Sequence, residues 1–73
     1  MNKENEYERA RYFFENKIQV HVSKKNNGFL NGLILELTRD AFVIHDREDG
    51  NHFVFFSELI KPLEPFKDNE NEN

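Results

Sequence analysis

Residues Phe29 to Asp46, FLNGLILELTRDAFVIHD, decide how this chain folds. A long apolar segment runs from Phe29 to Thr38. A break follows at Thr38-Arg39-Asp40, and a second apolar segment spans Ala41 to Asp46. In the first segment Phe29, Leu33, Leu35 and Leu37 alternate on one side, and Leu30 and Ile34 lie on the other. Gly32 sits between the latter two, and a glycine inside a strand marks a bend or a close backbone approach. Such a bend lets one long strand serve both halves of a small, strongly curved sheet.

Turn signals divide the flanking chain. Upstream, Lys17 to Lys24 alternates Ile18, Val20 and Val22 with Gln19, His21 and Ser23, the pattern of a half-buried strand. Asn26-Asn27-Gly28 then tolerates the positive φ of a hairpin turn. Downstream, Asp46 to Asn51 is a polar loop with Asp49-Gly50 as its turn. His52 to Phe56 reads as a strand that is apolar on both faces. Ser57-Glu58 turns the chain as a single 3₁₀ turn. Leu59 to Leu63 is then expected as a fifth strand, placed at an edge because Pro62 lacks an N–H.

Before the strands, residues 4–16 carry Tyr7, Ala10 and Phe14 at helical spacing, with Phe13 beside them. Glu4, Glu6 and Glu8 suit the positive end of the helix dipole. A helix this short needs a surface to dock on. The expected plan is one domain over residues 1–66, mainly β with α+β character. Its helix spans about 4–16, followed by a bent five-stranded SH3-like barrel over about 17–64. The last residues, KDNENEN (67–73), are too polar to pack and read as a disordered tail.

The chain has 73 residues and no cysteine. Disulfides and thiolate metal sites are therefore excluded. A domain this size has a thin stability margin, which a partner subunit relieves. Eight phenylalanines supply large core-filling groups. The net charge is −4, of which −2 falls in residues 67–73, so the folded part is nearly neutral. No apolar leader or membrane-length apolar run is present, and a cytoplasmic location is expected.

These residues resemble the Sm-like family from about Lys17 to Leu63. Phe29-Leu30-Asn31-Gly32, Ile34, Phe42-Val43-Ile44 and Asp46 carry its first motif. The hydrophobic spacing of Val54-Phe55-Phe56-Ser57-Glu58-Leu59-Ile60 matches its second. The resemblance implies an N-terminal helix on a bent five-stranded barrel. It also implies rings that pair the fourth strand with a neighbour's fifth, and binding of single-stranded, often U-rich RNA at the pore. Two departures stand out. The base-contacting Asn after the second strand has no counterpart, and Phe56-Ser57-Glu58 replaces the cationic loop between the last two strands.

On that resemblance Asp40 stands in for the family's acidic loop residue, Phe42 and Phe56 for stacking groups, and Ser57 for the pore loop. Lys24, Lys25 and Arg39 are the candidate phosphate contacts, since base stacking and backbone charge together hold single strands. The bland alternative is a soluble hairpin and two core phenylalanines. Phe53, Val54, Phe55, Leu59, Ile60 and Leu63 are the candidate subunit interface, because an over-apolar strand and an edge strand ask for a neighbour. His21, His45 and His52 lack ligand spacing, so no metal is expected. Neither a cofactor nor a small-molecule substrate is expected, and Ser57-Glu58 lacks the partners of a nucleophile, so the chain reads as no enzyme. The expected role is a homo-oligomeric ring that binds single-stranded RNA. The alternative is an SH3-like protein-interaction module without nucleic acid.

Overall fold

A computed structural model describes residues 3–66. The proposed polar tail at 67–73 lies outside the described residues. One helix, α1 (Lys3–Glu15), precedes five strands: β1 (Val20–Ser23), β2 (Phe29–Leu37), β3 (Ala41–Asp46), β4 (Gly50–Phe55) and β5 (Glu64–Pro65). A 3₁₀ turn, Phe56–Glu58, follows β4. The strands form one antiparallel sheet in the order β4-β3-β2-β1-β5. Among the described residues no helix is long and apolar enough to cross a membrane.

The turns form where their residues permit them. Asn27 adopts φ 68° between β1 and β2, and Gly28 donates its N–H to the Asn26 carboxamide oxygen at 2.9 Å. Gly50 adopts φ 85° at the start of β4. Gly32 serves a different need. A Cβ built there would overlap the carbonyl oxygen of His45, so β2 and β3 approach too closely for any side chain.

The sheet curls. Phe56 donates its N–H to the Asp40 carbonyl at 2.9 Å, and Ile60 donates to the Ser23 carbonyl at 3.0 Å. Ser23 pairs with the first residue of β2, whereas Asp40 lies just beyond its last. A straight nine-residue strand would separate those ends by about 26 Å. Four residues of chain reach at most about 14 Å. The close approach at Gly32 and a register shift between Ile34 and Glu36 accommodate the bend. Curling stops short of closure: β4 and β5 are the two edges of the sheet.

The register shift also corrects the face assignment of β2. Leu30 and Ile34 are buried and Phe29 and Leu35 are exposed, as alternation requires. Leu37, however, crosses to the inner side, pairing with the buried Phe42 and packing against the core. One extra residue in a strand inverts every side chain after it.

The core lies inside the curl. Val20, Val22, Ile44, Val54 and Phe42 are its largest fully buried members, joined by Phe56, Leu59 and Leu63 from the last segment. Helix α1 contributes Ala10 and Phe13 and packs on β2 and the 3₁₀ turn. Arg9 Nε donates to the Leu63 carbonyl, which ties the helix to the end of the chain.

The expected fifth strand at Leu59–Leu63 is not a continuous strand. Leu59 makes a single bridge to Lys24, the chain bends at Ile60 and Lys61, and pairing resumes only at Glu64–Pro65 against Val20 and His21. The missing N–H of Pro62 breaks the ladder at that point. Pro65 lies within β5, at the edge of the sheet.

Candidate interface around the Phe56–Glu58 turn

The curl brings three separated pieces of sequence around one turn. The Phe56 N–H bond to Asp40 holds the β2–β3 loop on one side. Lys25 donates its N–H to the Glu58 carbonyl at 2.8 Å and holds the β1–β2 hairpin on the other. Two shallow hollows result, and both include Ser57. One, of about 260 Å³, is lined by Arg39, Asp40, Phe55, Phe56 and Ser57. The second, of about 240 Å³, is lined by Lys24, Lys25, Asn26, Ser57 and Glu58.

Lys24, Lys25, Arg39, Asp40 and Ser57 are thus gathered on one part of the surface, as a shared binding rim requires. Their charges are not all free. Lys24 Nζ lies 4.0 Å from Glu58 Oε1. The Arg39 guanidinium sits over the Tyr7 ring of α1 at 5.6 Å from its centroid. Lys25 and Asp40 are exposed.

The two proposed stacking rings are elsewhere. Phe42 is 1% exposed and Phe56 3% exposed, with ring centroids 5.3 Å apart inside the core. Neither offers a face to a base. Alternation explains this: Phe42 shares the inner face of β3 with Ile44, and the 3₁₀ turn directs Phe56 back under the sheet. The aromatic presented beside Arg39 is Phe55, which is 45% exposed and lines the same hollow. The sequence suggests Phe55 for the subunit interface alone. The available signal was its position one residue from the inward Val54.

The six proposed interface residues split the same way. Val54, Leu59 and Leu63 are buried in the chain's own core, while Phe53, Phe55 and Ile60 face outward. Phe53 and Phe55 form an edge-to-face pair with centroids 5.0 Å apart. Phe53 stands opposite the half-buried Val43 on β3. Leu35 on β2 adds another exposed apolar side chain. Val43 and Leu35 are not among the interface residues that the sequence suggests; only the pairing of Val43 with Phe53 puts it beside them.

Two of the three histidines are hydrogen-bonded to neighbours, and the buried Nε2 of His52 has no hydrogen-bond partner among the described residues. His21 Nδ1 hydrogen-bonds the Asn31 carboxamide and His45 Nδ1 that of Asn51, at 2.7 Å for the latter. His52 Nε2 is 3.9 Å from Asp49 Oδ2. Among the described residues no three His, Cys, Asp or Glu side chains converge as metal ligands.

Among the described residues Asp46 is the most heavily bonded carboxylate. It accepts the backbone N–H of Asn31 at 2.8 Å, of Glu48 at 2.9 Å and of Asp49 at 2.8 Å. These bonds favour the ionised form and hold its pKa below the ordinary Asp value, with the Asn31 bond the largest cause. Asp46 thereby builds the β3–β4 turn and fastens it to β2. Its role is structural, which the loop's run of acids did not reveal. Compared with family models, with curated proteins and with solved structures, the chain gives no match.

Proposed function

We propose that this chain is an Sm-like subunit whose curled sheet is that family's bent barrel. In this reading copies of the chain assemble into a homo-oligomeric ring that holds single-stranded RNA. The observation that carries the reading is the β4 edge: an unpaired outer strand with Phe53 and Phe55 turned outward. An open edge bearing exposed aromatics is a template for another strand. The other edge, β5, is open as well, and joining unlike edges head to tail generates a ring. RNA would follow Lys24, Lys25 and Arg39 past Ser57, with Phe55 as the stacking ring in place of Phe42 and Phe56.

The test has two parts. Native mass at micromolar chain should give a closed oligomer, and replacing Phe53 and Phe55 together by Lys should give a monomer. Labelled oligo-U should bind at low salt, and Lys25→Ala should weaken it and lower the salt slope by about one. A monomer at micromolar concentration overturns the ring, and no oligo-U binding at low salt overturns the RNA role.

A second reading, an SH3-like protein-interaction module, draws on the Glu58 carboxylate beside Lys24 and on the nearly neutral folded part. It is favoured if the oligomer forms and oligo-U does not bind.

A further inference from the structure

A third cleft, of about 480 Å³, shares no lining residue with the Ser57 hollows. It is lined by Phe29, Asn31, Phe66 and the turn residues 46–49. Hydrogen bonds fix its walls. Arg47 donates its N–H to the Asn31 carbonyl at 3.0 Å, and Phe66 donates its own to the Gln19 carbonyl at 2.8 Å. Phe29 is 63% exposed, the most exposed of the large apolar side chains among the described residues. His21 backs its ring in a stacked arrangement at 5.6 Å, so a preorganised aromatic wall borders the cleft.

The chemistry of this cleft is cationic recognition. Its lining carries three carboxylates, Asp46, Glu48 and Asp49, against one guanidinium, Arg47. That balance repels a phosphate chain and attracts a positive group. Asp46 is spent on backbone N–H groups, while Glu48 and Asp49 are both exposed, Asp49 with His52 Nε2 3.9 Å from its Oδ2. A guanidinium already uses one of the rings: Arg47 lies over Phe66 at 5.5 Å. Arginine combines a flat face for an aromatic ring with a fork for a carboxylate.

We propose that this cleft binds an arginine side chain of a partner protein, stacked on Phe29 and paired with Glu48 or Asp49. Nothing in the proposal depends on the ring or on RNA. It gives the chain a protein-binding face separate from the Ser57 hollows.

The test is a titration of the isotope-labelled protein with a capped Gly-Arg-Gly peptide, followed by amide shifts. Saturable shifts are expected at Phe29, Asn31, Glu48 and Asp49. Phe29→Ala should weaken binding by about two- to five-fold, the worth of one exposed cation–π contact. The ring is exposed, so the variant keeps its fold, which its unchanged remaining shifts will verify. Glu48→Gln with Asp49→Asn should weaken binding further and remove its salt dependence. A Gly-Gln-Gly peptide should leave the cleft unshifted. The proposal is overturned if the arginine peptide gives no concentration-dependent shifts at these amides up to about 0.1 M, the range that one exposed cation–π contact and one surface ion pair set. It is equally overturned if the variants bind like the parent, if the glutamine peptide binds as well, or if oligo-U shifts these amides instead.

Discussion

Asp46 is where one side chain does most for this fold. Three backbone N–H groups from two segments converge on it, and each bond to a charged acceptor is worth more than a neutral one. Its pKa is lowered in the folded protein, whereas the unfolded chain titrates near the usual Asp value of about 4. The folded state therefore binds the proton less readily than the unfolded one. The resulting stability is fully present above the unfolded pKa and is lost as pH falls through the folded pKa. Asp46→Ala should cost about 2–3 kcal/mol at neutral pH and flatten the decline of the melting temperature below about pH 5. Melting curves across that range check both. At the same scale, the sequence shows Asp46 as the start of a polar loop and as a position of the Sm-like motif, but not as an acceptor for β2. Nothing in a string of residues says that the Asn31 amide, 15 positions away, will point at it.

At the scale of elements, α1 and β2 depend on each other. The helix is too short to persist alone, and its inner positions Ala10 and Phe13 are buried against the sheet. Phe13→Ala should therefore destabilise the whole protein, by about 3 kcal/mol, rather than fray the helix alone. Coincident loss of helical and aromatic circular dichroism in denaturant checks this; separate transitions would refute it. The helix was readable from spacing because tertiary packing reinforces a 3.6-residue period. The end of β2 was not readable. Alternation predicts an outward Leu37, but the shift between Ile34 and Glu36 turns it inward. The segment Leu59–Leu63 misled for a related reason: its apolar content is core content, supplied by Leu59 and Leu63 from an irregular path.

For the whole molecule, the open sheet edges set the expectation. A small curled sheet with exposed aromatics along one edge gains stability when that edge is paired. If copies associate as proposed, the melting temperature should rise with chain concentration, because association stabilises only the folded state. The Phe53→Lys and Phe55→Lys double variant should melt at a concentration-independent temperature. Scanning calorimetry from low to high micromolar chain measures the difference. A parent protein whose melting point ignores concentration would count against self-association.

The sequence by itself determined the helix, the first four strands, the turns at Asn26-Asn27-Gly28 and Asp49-Gly50, and the inward residues of most strands. Those features are local: periodicity, positive-φ tolerance and the missing N–H of proline act within a few residues. Tertiary structure decided which surfaces result. Only the curl of β2 places Arg39 and Lys25 around the same turn, buries Phe42 and Phe56, and leaves Phe29, Phe53 and Phe55 outside. The physical reason is that burial and proximity belong to pairs of distant segments. Pairing distance and sheet curvature set them, and neither is written at any single position.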